Sequence, residues 1–378
     1  MIYVPGFIFT AKTRPLRRIV FTVTNDLNYD QRMHRIAGTM AAAGYDVLLV
    51  GRTRKDSIPL LEKVFKQKRL SCWSDRGFLF YAEYNLRLFF FLLFAKADIL
   101  CAIDLDTILP VYVISVLKKQ QRVYDAHELF TEQVEVISRP RVHRFWLAVE
   151  RFAVRRFSTG YTVNEWIAKE FNRRYGVDYR VIRNLPAKTA LNPEQQASGE
   201  KYFLYQGAVN EGRCFETLIP AMLRVNAVLR VCGSGNFIEQ AKTLVTQYQL
   251  EKKVIFHGNI EPSALRSFTQ KAYAGINLFE SSGMNQYHSL SNRFFDYMMA
   301  GIPQLCVNYP EYAAFTNPYP VGLMIDNVSE TTIAEALNRL LSDETLYRQM
   351  QAACMQARET WNWEKEAPLL IGIYQQLK

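Results

Sequence analysis

Several things are scarce or missing in this 378-residue sequence. Its six cysteines, Cys72, Cys101, Cys214, Cys232, Cys306 and Cys354, show no CxxC or CxH spacing, and several sit inside apolar strand-like runs such as ILCAI and QLCVN. That argues against a zinc site or a disulfide framework and predicts reduced, buried thiols in a cytosolic protein. The strongest apolar run, LFFFLLFA at Leu88–Ala95, falls far short of the roughly 20 residues of a membrane span, so the chain is expected not to cross a bilayer. The N-terminal MIYVPGFIF has no basic region before it and no small-residue cleavage site, so it does not read as a signal peptide. Low-complexity blocks and long charged tails are absent. VCGSGNF has Gly233 and Gly235 but Ile238 where a dinucleotide fingerprint needs its third glycine, which argues against NAD.

What is present is a globular composition, 49% hydrophobic, in a chain too long for one ordinary core. The net charge of +10 favours an anionic partner, whether nucleic acid, an anionic membrane face or a phosphorylated small molecule; it also serves plain solubility. Basic and aromatic residues do not interleave as in a nucleic-acid module, so no nucleic-acid partner is expected.

A strand, helix, strand rhythm begins at RRIVFTVTN, DQRMHRIAGTMAAAGY and DVLLVGR and continues through DILCAID, RVYDAHE and TGYTVN. This is the mark of a parallel sheet with crossover helices. The polar stretch AKTALNPEQQASGEK reads as a linker, after which the rhythm restarts with YFLYQG, LRVCGSG, KVIFHG, AGINLF and PQLCVN. The expected organisation is therefore α/β, with two Rossmann-like doubly wound domains facing a cleft. The first covers 1–186, a linker 187–200, the second 201–355, and a C-terminal helix at 356–378 packs back toward the first.

In open parallel sheets the ligand crevice lies beyond the carboxyl ends of the strands. The polar strand ends of the first half, Asn25, Asp26, Asp125, His127 and Glu128, together with Arg32, are its site candidates. Capping is the competing role for Asp30 and surface exposure the one for Arg32. In DLD, Asp104 and Asp106 suit capping of the next helix better than a metal, and no metal is expected.

In the second half, HSLSNRFFDYMMAGIP reads as a helix capped by Ser289 or Ser291 and stopped by Gly301. Free amides from Ser291 through Asn292 to Arg293, with the Arg293 charge, suit a phosphate. Asp296 lies about 6 Å farther along the axis, close to the span from a nucleotide's α-phosphate to its ribose diol, and a carboxylate can accept from both ribose hydroxyls. An internal salt bridge is the competing role. LYQGAVNEGRCFETLI adds Gly207, where backbone can approach a ligand closely, and Arg213, which can neutralise a diphosphate.

Taken in order, VTNDLNYDQRMHRIA, DLDTILP, YDAHELFTE, VNEWIAKEF, RNLP, YQGAVNEGRCFETLI, VCGSG, FHGNI and LSNRFFDYMMAGIP resemble a retaining glycosyltransferase of the group 1 type, also called family 4, with the GT-B fold. The resemblance covers nearly the whole chain. It implies transfer of a hexose from a nucleotide diphosphate sugar, a UDP-sugar, to a glycan or lipid-linked acceptor, without cofactor or metal. In that family two glutamates separated by seven residues frame the donor site, the second binding the ribose. Here the second position is Asp296 and the first is His288, with Glu280 too far upstream to fill it. By the same resemblance Arg213 balances the pyrophosphate and His127 stands near the transferred sugar as the catalytic-side histidine. Polysaccharide biosynthesis in the cytoplasm is the expected setting. GFLFYAEYNLRLFFFLLF and RPRVHRFWLAVERFAVRR suit peripheral contact with the anionic inner face of a membrane, or else core packing. Two other readings remain open: a nucleotide-sugar epimerase or hydrolase of the same fold, and a non-catalytic anion- or nucleic-acid-binding protein.

Overall fold

The computed structural model describes residues 16–55, 57–191, 201–281 and 283–377. The N-terminal MIYVPGFIF and most of the expected linker lie outside the described residues.

Short runs of apolar, largely β-branched residues form the strands, and amphipathic segments between them form the crossovers. The first sheet is entirely parallel where its pairs are resolved. It holds β1 (Arg18–Thr22), β2 (Asp46–Arg52), β3 (Lys66–Leu70), β4 (Ile99–Ile103), β5 (Gln121–Ala126), β6 (Gly160–Thr162) and β7 (Arg180–Val181), in the order β3-β2-β1-β4-β5-β6-β7. The second holds β8 (Tyr202–Gln206), β9 (Val228–Cys232), β10 (Val254–Gly258), β11 (Ala274–Asn277), β12 (Gln304–Val307) and β13 (Gly322–Ile325), in the order β10-β9-β8-β11-β12-β13. The expected pair of doubly wound parallel sheets is present. β3, KQKRL, was not among the expected strands.

Each sheet reverses its direction of growth once, between β1 and β4 and between β8 and β11. These are the switch points at which open α/β sheets take ligands. The second core is continuous: Phe203, Leu229, Ile276 and Leu305 from the strands pack with Phe215, Phe294 and Leu337 from the helices, all fully buried.

By contacts the described residues fall into two compact units. One is the chain up to Asp125 with Phe152–Thr159 and the end from Ile373, and the other is Ala126–Arg151 with Gly160–Gly372. In the first unit the chain end is held by Arg17, which donates to Leu377 O at 2.7 Å, and by Tyr374 against Phe21. In the second, residues leading into the expected linker are strapped to the last helices: Trp363 N donates to Pro186 O at 2.9 Å, and Lys188 pairs with Glu359.

All six cysteines are free thiols; five are buried and Cys72 is half-buried. One described helix, Gly77–Phe94, is long and apolar enough to cross a membrane by length and composition, because it begins well before the Leu88–Ala95 run.

Candidate active site

At the first sheet's switch point the charged groups close on one another. Arg32 is not on the surface: it is buried and meets the fully buried Asp125 at 2.9 Å, a pairing that a carboxylate without water around it requires. Asp26 accepts from Arg69 at 2.6 Å, from Asn28 N at 3.0 Å and from Ser57, and these partners hold its carboxyl below the usual range despite burial. Asp106 accepts from Thr24 at 2.6 Å, and neither Asp104 nor Thr107 caps with its side chain, so the capping expected of DLD is not made. Asp30 does cap the Gln31–Ala42 helix, accepting from Met33 N. Asn25 is exposed and donates to Asp30 at 3.1 Å.

His127 and Glu128 follow β5 and are half-buried in the second unit. Glu128 accepts from Gln133 and, at 3.0 Å, from Asn285.

At the second sheet's switch point the charges do not close. β8 ends in Gln206 and Gly207, β11 ends in Asn277, and Phe279 follows two residues later. Arg293, on the Asn292–Met299 helix, is buried and donates only to neutral oxygens, Asn277 Oδ1 and Gln206 O, each at 3.1 Å. Its guanidinium lies 4.3 Å from the Tyr205 ring centroid and 4.6 Å from that of Phe279. Arg213 comes to the same Phe279 ring at 4.4 Å. Among the described residues neither arginine has an ion-pair partner. Burial first, and the Arg293 cation second, pull the Arg213 guanidinium below its ordinary value. Two desolvated cations on one aromatic ring are electrostatically unfavourable until an anion joins them. The next residue, Cys214, is buried with φ +60°, a conformation costly for a side chain and typical of constrained sites.

Two backbone turns pack tightly here. Gly233 has φ +151°, and a Cβ on it would meet Gly207 O at 1.8 Å, so the VCGSG turn can lie against the YQG turn only as glycine. That is the structural role of the broken fingerprint.

The Asn292–Met299 helix starts at Ser291 without a side-chain cap and ends before Gly301, whose φ is +73°. The expectation that Ser291 offers a free amide is corrected: its N–H donates to Tyr312 Oη at 3.1 Å, and its hydroxyl donates to Asn277 Oδ1 at 2.7 Å. The amides of Asn292 and Arg293 have no acceptor among the described residues, while the Asn292 side chain accepts from Asn184 at 2.7 Å. Asp296 is half-buried rather than enclosed and accepts from Gln206 Nε2 at 2.9 Å. Thr269 donates to the other end of that amide at 2.7 Å, which fixes its orientation.

His288 lies flat on Trp166, with ring centroids 3.9 Å apart and planes 3° from parallel. Its backbone oxygen accepts from Asn164 at 2.8 Å, and its Nδ1 is buried with no hydrogen-bond partner among the described residues. Burial lowers its pKa, against a smaller upward pull from Glu170. Glu280 is exposed. Gln206, Asn277, Phe279 and Trp166 were not singled out as site residues. The first three are strand-end residues whose significance appears only once β8 and β11 are known to be neighbours.

Comparison with known proteins fits this geometry. The model for glycosyl transferases group 1 matches residues 188–356, and the model for glycosyltransferase family 4 matches residues 31–185. No curated protein sequence matches the chain. Among solved structures, the fold is similar to sucrose-phosphate synthase from Thermosynechococcus elongatus, with TM-score 0.79 and 17% identity over 96% of this chain and 99% of that one. HepE of Anabaena in complex with UDP gives TM-score 0.74 and 11% identity over 96% of this chain and 100% of that one. WaaG, a glycosyltransferase involved in lipopolysaccharide biosynthesis, gives 0.72 and 16% over 94% and 100%. At such identities the structures speak to fold; with the two family models in sequence along it, the chain belongs to the group 1 glycosyltransferases.

Proposed function

We propose that the protein transfers a hexose from a UDP-sugar to a glycan or lipid-linked acceptor, with retention at the anomeric carbon. The observation that carries this reading is the pair Arg213 and Arg293 on Phe279 at the second switch point, without an acidic partner among the described residues. A diphosphate fits that charge: the two guanidiniums and the amides of Asn292 and Arg293 would hold its oxygens. Asp296, one turn along the helix, would accept from the ribose hydroxyls, with Gln206 holding the carboxylate in place. The complexes of HepE with UDP and with UDP-glucose support the donor class, and the lipopolysaccharide role of WaaG supports the acceptor class.

In this reading the bond from the anomeric carbon to the diphosphate oxygen breaks first, and its electron pair leaves with the diphosphate. Arg213 and Arg293 stabilise that developing charge, an effect of the size found for oxyanion sites. The acceptor hydroxyl then attacks from the same face and gives its proton to the departing diphosphate. No side chain is assigned as a covalent nucleophile, and His127 positions the sugar. His288 and Trp166 present a flat surface where the family carries its first glutamate, which points to altered sugar contacts rather than a lost donor site.

The test is incubation of the purified protein with UDP-sugars and glycan or lipid-linked acceptors, with the product's anomeric proton read by NMR. Release of UDP coupled to an α-linked product from an α-linked donor is expected. A β-linked product or a trapped glycosyl-enzyme adduct would overturn the mechanism, and free sugar alone would favour a hydrolase.

A further inference from the structure

The Gly77–Phe94 helix is amphipathic in an unusual way: both of its faces are apolar. Phe80, Tyr84, Leu88 and Leu92 are buried, and Tyr84 Oη donates to Val23 O, so this row fixes the helix to its unit. The outward row is Phe78, Ala82, Leu86, Phe90 and Phe94, and all five are exposed, Phe94 by 82%. At four-residue steps it runs about 24 Å along the helix without a charge. Trp73, 90% exposed, precedes it. The helix carries one acid, Glu83, and that carboxylate is engaged by Arg87 and by the amides of Trp73 and Ser74.

Beside the row lies a shallow concavity of about 480 Å³, lined by Lys68, Arg69, Ser71, Arg87 and Phe90 among others. Arg69 and Arg87 have acidic partners, whereas Lys68 has none among the described residues. The concavity thus places cationic and hydroxyl groups directly against an exposed apolar strip, which is the order of groups met on crossing from lipid headgroup to acyl chain.

We propose that this face docks on an anionic lipid bilayer, the Phe78–Phe94 row entering the acyl boundary and the Lys68 concavity receiving a phospholipid headgroup phosphate. Charge decides against a second copy of the chain. β3 is the sheet's edge strand, and its exposed Lys66 and Lys68 would face the same lysines of a partner, the arrangement by which edge strands resist pairing. The proposal is independent of the donor-site reading, since its surface shares no residue with that site.

The experiment is flotation of the full chain with vesicles of phosphatidylcholine alone and of equal parts phosphatidylcholine and phosphatidylglycerol. Binding to the anionic vesicles only, weakened by salt, is expected. Lys68→Glu should weaken it by roughly fivefold or more, and Phe90→Ser with Phe94→Ser by about tenfold or more. Circular dichroism and melting temperature serve as the folding check, and Lys68→Glu, an exposed change, keeps the test decisive should the phenylalanine variant fail it. Absence of vesicle binding, binding indifferent to both variants, or a dimer in light scattering that the phenylalanine variant dissolves would each overturn the proposal.

Discussion

The two sheets of this protein share one strand order around their switch points, yet treat charge at those points in opposite ways. Beyond β1 and β4, Asp26 meets Arg69, Asp125 meets Arg32, and Asp106 meets a threonine. Beyond β8 and β11, Arg213 and Arg293 share one aromatic ring and no acid. A parallel sheet brings polar strand ends together in both places, so position alone does not mark a binding site. Charge left uncompensated by the protein does.

The comparison can be broken most severely at its closed end. Arg32→Met should cost about 3–5 kcal/mol of stability, because it leaves Asp125 charged in a fully buried place. Urea denaturation measures this, and a loss below 1 kcal/mol, flagged here as about the scale of a surface pair, would show that the pair is not structural. At the open end the reverse pattern is expected. Arg213→Ala should leave the melting temperature unchanged or raise it, by relieving a like charge, while lowering turnover about a hundredfold; a destabilised but active variant would contradict the distinction.

Asp296→Ala should weaken nucleoside diphosphate binding by about tenfold or more, the usual scale for hydrogen bonds to a charged group, and should do so far less for inorganic pyrophosphate. Equal losses for both ligands would remove the ribose assignment. The smallest effect concerns His288. Burial depresses its pKa below 6.5, so the unfolded chain takes up the proton first. Its stabilisation is complete above that value and is lost as pH falls through the lower folded value. His288→Gln should therefore flatten the fall in melting temperature on the acid side of about pH 6.5. It should not abolish the fall, because burial lowers His34 and His257 as well.

Much of the fold was readable because buried parallel strands such as RIVFT and ILCAI are short, apolar and regularly spaced. β3 was not, since KQKRL is an edge strand with three cations and no apolar alternation. Arg213, Arg293 and Gly207 could be picked out from local context, a cation or glycine at a strand end or helix start. Arg32 was read as a surface residue because its partner Asp125 is 93 positions away, and nothing in helical spacing reveals which strand end lies opposite. Gln206, Asn277 and Phe279 needed the strand order itself. Asp296 was expected at the centre of a buried helix, but the helix turns that side partly outward, against Gln206.

The central claim is that the open pair of arginines is a diphosphate site, and titration calorimetry of UDP, GDP and ADP into the wild-type protein and Arg213→Ala tests it most directly. The account predicts that UDP binds the wild type and that the variant, equally stable, binds at least about tenfold more weakly. Binding unaffected by the substitution, or no binding of any of the three nucleotides to the wild type, would contradict it.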